Sequence, residues 1–355
     1  MLVDRGQSSG LALRWRRGAW LSLAVLVLCV LSLAPYLTSS TELVRMRNAL
    51  VLIDESSTGF DWTPLNVPPS YVQERGPVDP FFVDVAARLG LAALPDDWER
   101  ALAISRHLLG SSPVLQGGAI KLDLRGTYRR IVRSGQGYCG DFVDVFMAIA
   151  LAAGMPVRSW AFSFDGFGGD GHIWPEIWNR QLGRWQLVGI FNNYYFFETP
   201  GVPLSALEFR QAMLSDSPRL KLAPLDPGAR VGWSIEEEAW RYYRRGLPEW
   251  YMWWGNNVFT YDRALLVRTF SGVSRSLEQL GGIAQGVFPP VKLMVTEANR
   301  HQANAMWRLR MHLFVVVWVA SLATLATLFC SVAAVRVRRR QHFVLSRPSA
   351  VQDGQ

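Results

Sequence analysis

Two long runs without a charged side chain stand near the ends of this 355-residue chain, and they restrict its fold more than any other feature. Residues 18–37 hold no Asp, Glu, Lys or Arg and are preceded by Arg14, Arg16 and Arg17. Residues 311–335 are equally bare and are followed by Arg336, Arg338, Arg339 and Arg340. Each run meets the roughly 20 residues a helix needs to cross a bilayer. Arginines at the outer flank of both runs place both termini in the cytoplasm and the intervening chain on the far side of an inner (cytoplasmic) membrane. A cleaved signal peptide is the alternative for the first run. Pro35, directly after Ala34, disfavours cleavage at the most obvious small-residue site.

The expected organisation is a cytoplasmic N-terminus (1–17), a transmembrane helix (18–37), an extracytoplasmic lead-in (38–95), a central domain (96–215), an aromatic-rich, mostly helical extension (216–310), a second transmembrane helix (311–335) and a basic cytoplasmic tail (336–355). The net charge of +8 comes largely from the two arginine clusters, and the central domain is mixed in sign. A nucleic-acid partner is therefore excluded from the reading.

Of the three cysteines, Cys29 and Cys330 lie inside the apolar runs, where a thiol behaves as a small apolar group. Cys139 is the only one outside them, so it cannot close an intrachain disulfide with a neighbour in the exported domain. It directly precedes the nearly all-apolar stretch 141–153, which Gly154 and Pro156 end, and so it sits where a helix begins. A helix N-terminus favours the thiolate, the nucleophilic form of cysteine.

Along the exported segment, residues 38–80 are rich in proline and polar residues and are expected to carry little regular structure. Residues 96–109 have the pattern of a capped amphipathic helix, on which His107 reads as structural. A strand is expected over 157–164, then the glycine-rich loop 165–171 (DGFGGDG), then strands over 172–178 and 185–190 around a turn at 179–183. Helices follow over 205–213 and 235–245, with the aromatic run Trp250-Tyr251-Met252-Trp253-Trp254 after them. Helix first, then antiparallel sheet, is an α+β arrangement.

A cysteine nucleophile needs a base within reach and a third group to orient that base. The exported segment offers His107, His172 and His301, and position leaves His172 as the candidate. Strand alternation puts His172, Trp174, Glu176 and Trp178 on one face. A histidine beside tryptophans on a strand is by itself an ordinary packed residue, so the case rests on the combination.

That combination resembles the transglutaminase-like superfamily, a branch of the papain-like cysteine acyltransferases and peptidases. The matching segments are 137–141 (GYCGD), 152–158 (AAGMPVR), 171–178 (GHIWPEIW) and 185–188 (WQLV). The resemblance implies a transglutaminase-like (papain-like) core, with the nucleophile helix packed on an antiparallel sheet and flanked by the two transmembrane helices. It implies Cys139 as nucleophile and His172 as general base. Glu176 recurs on the family's histidine strand and reads as architectural. The third member is normally an Asp four residues after the strand tryptophan, and that position here is Gly189.

A register argument suggests substitutes. If Trp178 pairs with Trp185, His172 faces Phe191 with Gly189 and Asn193 as diagonal neighbours, and a bulge at Gly183 would instead bring Asn192 opposite. Asn192 or Asn193 is thus the candidate orienter, against a domain with no third member. The backbone N–H of Cys139 is the natural oxyanion donor. Gln136 is either a second donor or a solvated loop residue.

The expected activity is thiol-dependent acyl transfer or amide hydrolysis on peptide, protein or acylated glycan groups of the envelope, with no metal or organic cofactor implied. The rival is a catalytically weak or inactive scaffold in a membrane complex for envelope or polysaccharide assembly. The chain has 15 tryptophans. The cluster around 250–254 fits packed core, a membrane-interface belt or a glycan-stacking surface.

Overall fold

A computed structural model describes residues 5–54, 59–110 and 122–345. The sequence-based expectations for the extreme ends of the N-terminus and of the basic tail (1–4 and 346–355) lie outside the described residues. The chain divides into two units, one made of its ends, up to Ser39 and from Arg308, and one spanning Ser40–Trp307.

In chain order the helices are α1 (Arg5–Leu33), α2 (Ser40–Leu50), α3 (Pro80–Arg88), α4 (Asp97–Leu109), α5 (Leu124–Ser134), α6 (Cys139–Ala152), α7 (Ala206–Leu214), α8 (Glu236–Gly246), α9 (Val258–Arg263), α10 (Leu265–Phe270), α11 (Arg275–Ala284) and α12 (Arg300–Leu345). The strands are β1 (Val157–Ser163), β2 (Gly171–Asn179), β3 (Arg184–Leu187), β4 (Tyr195–Thr199), β5 (Val202–Pro203), β6 (Lys221–Ala223), β7 (Trp250–Trp253) and β8 (Val291–Leu293).

In the unit formed by the chain ends, two helical stretches are long and apolar enough to cross a membrane, Leu13–Leu37 and Glu297–Arg339, the second beginning in the other unit. Their leucines, valines and phenylalanines are largely exposed.

The unit Ser40–Trp307 is built on a five-stranded antiparallel sheet of order β3-β2-β1-β7-β8. The period-2 alternation of β2 divides the core. Ile173 and Ile177 face the helical layer of α3–α6, with Val157 of β1. Trp174 faces an aromatic layer on the other side that includes Trp160, Phe162, Trp250 and Tyr243. Helix α6 is buried along most of its circumference because it lies between the sheet and the other helices. It stops where Gly154 takes a left-handed φ of +70°, letting the Met155 N–H reach back to the carbonyl of Ala150.

Two expectations change. Residues 216–310 carry mostly helices but are not a separate extension, since β7 and β8 come from this segment and complete the main sheet beside β1. The run Trp250–Trp254 hides its strand character because aromatic residues occupy both faces, and Trp250, Met252 and Trp254 are fully buried core. Within residues 38–80, Ser40–Leu50 is helical. Its side chains grip the glycine-rich loop, with Asn48 Nδ2 donating to the Phe167 carbonyl at 2.9 Å and Arg45 donating to that of Asp165.

Candidate active site

Cys139 opens α6 after a short link from α5, whose C-terminal Gly135 has φ +65°. Asp141 fixes the entry by accepting the Tyr138 N–H at 2.8 Å, and Arg275 of α11 pairs with the same carboxylate at 2.5 Å. Cys139 as a residue is half-buried. Its surroundings nevertheless push its pKa up to about 11, chiefly by burial and also through the charge of Asp141. The nearby backbone N–H groups of Ile173 and Gly140 act the other way. The direction of this shift is opposite to the thiolate expected from the helix N-terminus alone. Burial outweighs the dipole here.

His172 lies near the start of β2, opposite Phe162 of β1, and is 4 % exposed. Its ring sits among Trp174 (5.0 Å between centroids), Phe162 (5.9 Å), Tyr242 (5.9 Å) and Phe191 (6.2 Å). Burial alone drives its pKa down to about 3. Thiol and imidazole therefore rest as a neutral pair. The sulfur lies against the backbone of Ile173, the residue after His172, and among the described residues no hydrogen bond joins Sγ to the ring.

The register of β2 and β3 is the one expected, with Trp178 opposite Trp185. The ladder does not continue to residue 191. After Val188, whose N–H still reaches the Pro175 carbonyl at 3.0 Å, the chain folds into a tight turn closed by Gly189 and Tyr194, which exchange both backbone bonds at 2.9 and 3.1 Å. That turn, rather than a bulge at Gly183, carries Asn192 inward. The inner atom of the Asn192 side-chain amide, Nδ2 as placed, stands 3.5 Å from His172 Nε2 and 3.2 Å from the Tyr243 hydroxyl. Asn193 points elsewhere. It takes a left-handed φ of 60°, its Nδ2 donates to the carbonyls of Asp226 and Arg230 at 2.8 Å each, and its Oδ1 accepts the Asp226 N–H. It clamps the 226–230 loop and does not reach the imidazole.

Gln136 is exposed on the link before α6. His107 bonds the Tyr128 hydroxyl through Nε2 at 2.8 Å, away from this site. Glu176 is fully buried and accepts from Arg158 Nε at 2.6 Å, Trp160 Nε1 at 2.8 Å and the Ala206 N–H at 2.7 Å, which ties β2 to β1 and α7.

Three tyrosines that sequence reasoning passed over complete the surroundings. Tyr242 donates to the Gly171 carbonyl at 3.3 Å, and both Tyr242 and Tyr251 lie within electrostatic reach of Cys139. Burial raises the Tyr251 pKa to about 12 and that of Tyr242 still further, so both remain neutral. Tyr243 is the third. All come from α8 and β7, far along the chain, and no local pattern distinguishes them from packed aromatics. Among the described residues no group of three or more His, Cys, Asp or Glu is placed to hold a metal ion.

A half-buried cysteine at a helix start, a buried imidazole on a neighbouring strand and a side-chain amide at its Nε2 are the parts from which acyl-transfer sites are made. Residues 86–190 match the transglutaminase-like superfamily, so the chain carries a transglutaminase-like domain. The match includes Cys139, His172 and Gly189 and ends before Asn192 and Tyr243. No curated protein and no solved structure matches the chain in these comparisons.

Proposed function

We propose that the transglutaminase-like domain of this chain is a thiol-dependent acyltransferase or amidase, displayed on the outer side of the inner (cytoplasmic) membrane by two transmembrane helices with both termini in the cytoplasm. The observation that carries this reading is the approach of Asn192 to within 3.5 Å of His172 Nε2. With the amide oxygen turned to Nε2–H, Nδ1 is left unprotonated as the ring nitrogen available to the thiol. The third role, vacant at Gly189, thereby has an occupant.

With both partners neutral at rest, His172 acts as a general base during attack rather than as half of a preformed ion pair. Sγ of Cys139 bonds to the substrate carbonyl carbon while its proton passes to Nδ1, and the backbone N–H of Cys139 faces the developing oxyanion. The leaving amine or alcohol departs with that proton, giving a thioester. Water or an acceptor amine, deprotonated by the same nitrogen, then releases the acyl group and restores the thiol. Envelope peptide, protein or acylated glycan groups are the substrates this location offers.

The test uses p-nitrophenyl acetate as a generic acyl donor on the full chain in nanodiscs. Release of p-nitrophenolate with one acetyl group on Cys139, lost in Cys139→Ser and strongly slowed in His172→Ala, supports the reading. A second reading, a scaffold that keeps the fold without the reaction, is favoured by the missing hydrogen bond between thiol and ring. It prevails if Cys139 acetylates no faster than the same thiol in the urea-unfolded chain.

A further inference from the structure

The atom of the Asn192 side chain that faces His172 Nε2 also faces the Tyr243 hydroxyl, at 3.5 and 3.2 Å. A side-chain amide has the same shape when turned over, so either its nitrogen or its oxygen can occupy that inner position without repacking. The two choices have opposite consequences for the ring. With Nδ2 inward, the amide donates to a bare Nε2, the ring proton sits on Nδ1, and His172 cannot take the thiol proton. With Oδ1 inward, it accepts from Nε2–H, and Nδ1 is free to act as base.

Tyr243 decides between them. Its residue is 1 % exposed, and among the described residues Asn192 is its hydroxyl's one hydrogen-bond partner. If that hydroxyl accepts from Nδ2, its own proton is left buried without an acceptor, which is costly. If it donates to Oδ1, every group is satisfied, because a carbonyl oxygen has two lone pairs for the two donors converging on it. The outer atom of the amide, beside Gly232, has no protein partner among the described residues and does not weigh against the turn. The Tyr243 phenol is pushed well above its ordinary pKa by burial, so it keeps this proton throughout the working range.

We propose that Tyr243 is a positioning residue that holds the Asn192 carbonyl toward Nε2 and thereby sets His172 in the tautomer that can accept the Cys139 proton. The inference rests on the acyl-transfer reading for its purpose, and it places part of the catalytic apparatus on α8, outside the segment 86–190 that matches the family. Tyr243→Phe removes only the hydroxyl and keeps the ring against Trp174, Phe196 and Phe209.

The experiment is ¹⁵N NMR of histidine-labelled full chain in nanodiscs near neutral pH, with His172 assigned by its loss in His172→Gln, alongside p-nitrophenyl acetate acetylation of Cys139. The wild type is expected to carry the proton on Nε2. Tyr243→Phe is expected to shift proton population to Nδ1 and to slow acetylation about tenfold. Asn192→Asp in the Tyr243→Phe background is expected to restore both, since a carboxylate presents oxygen in either orientation. An unchanged tautomer in Tyr243→Phe, or a double variant that keeps the single variant's tautomer, overturns the inference. A wild type that does not acetylate overturns the acyl-transfer reading instead, while the tautomer ratio still decides whether Tyr243 sets the ring.

Discussion

Gly189 lies so close to the backbone of Tyr194 that a Cβ on it would stand 2.5 Å from the Tyr194 carbonyl oxygen. The absent carboxylate is therefore not a simple deletion. The turn closed by these two residues needs glycine at 189, and the same turn brings Asn192 to the imidazole. An aspartate at 189 and this turn are mutually exclusive.

Restoring the family residue is accordingly expected to fail. Gly189→Asp forces a side chain into backbone and should destabilise the Ser40–Trp307 unit by about 2 kcal/mol, in the range of overpacked substitutions. Urea unfolding measures this, and a stable, faster-acetylating Gly189→Asp protein would contradict the account.

The alkylation profile of Cys139 should lie on the alkaline side. With its pKa raised toward 11, the thiolate fraction, and with it the iodoacetamide rate, keeps rising above the free-cysteine value of about 8.5. An inflection well below 8.5 would show an ion pair with His172 in the resting protein and would require the general-base description to be replaced.

Acid stability should depend on His172. The unfolded imidazole takes up a proton near pH 6.5, whereas the folded one refuses it until about 3. The unfolded state thus binds more protons throughout that window. Stability is unaffected by this group above 6.5 and falls as pH drops below it, by up to about 1.4 kcal/mol per pH unit. His107, also lowered by burial, contributes in the same direction. The difference between wild type and His172→Gln in urea titrations at successive pH values isolates His172, and parallel curves would refute the depressed pKa.

Glu176 should be structural. Its pair with Arg158 is essentially inaccessible, and the guanidinium is further enclosed by the rings of Trp185 at 3.9 Å and Trp62 at 4.7 Å. Glu176→Ala leaves a buried cation uncompensated and is expected to cost about 3–5 kcal/mol. A loss below about 1 kcal/mol would show that solvent reaches Arg158 readily.

Trp250→Ala removes a ring packed against Trp160, Trp174 and Phe209 and should cost about 3–5 kcal/mol in unfolding experiments. A surface role in glycan or interface binding would instead leave stability nearly unchanged.

The apolar end segments, the helix starting at Cys139 and the strands of His172 and Trp185 were legible in the sequence, and of the two registers left open the Trp178–Trp185 pairing is the one found, although it stops short of residue 191. Each is a local periodicity or a turn signal that needs only a few adjacent residues. The capping of α4 by Asp96, which accepts the Glu99 N–H at 2.8 Å, was legible for the same reason. The strands β7 and β8 were not, because aromatic residues on both faces erase alternation and their partner β1 lies far back in the chain.

The candidate site divides along the same line. By itself the sequence determined that Cys139 begins a helix, that His172 lies on the next-but-one strand, and that position 189, where the resemblance leads one to expect a carboxylate, holds glycine, since these are matters of residue type and spacing. Only the tertiary structure decided that Asn192 rather than Asn193 meets the ring, that Tyr243 stands behind it, and that thiol and imidazole are both neutral. Those outcomes depend on a turn that leaves the strand ladder and on aromatic packing from residues far along the chain, and burial is a property of the assembled core that no short stretch of sequence contains.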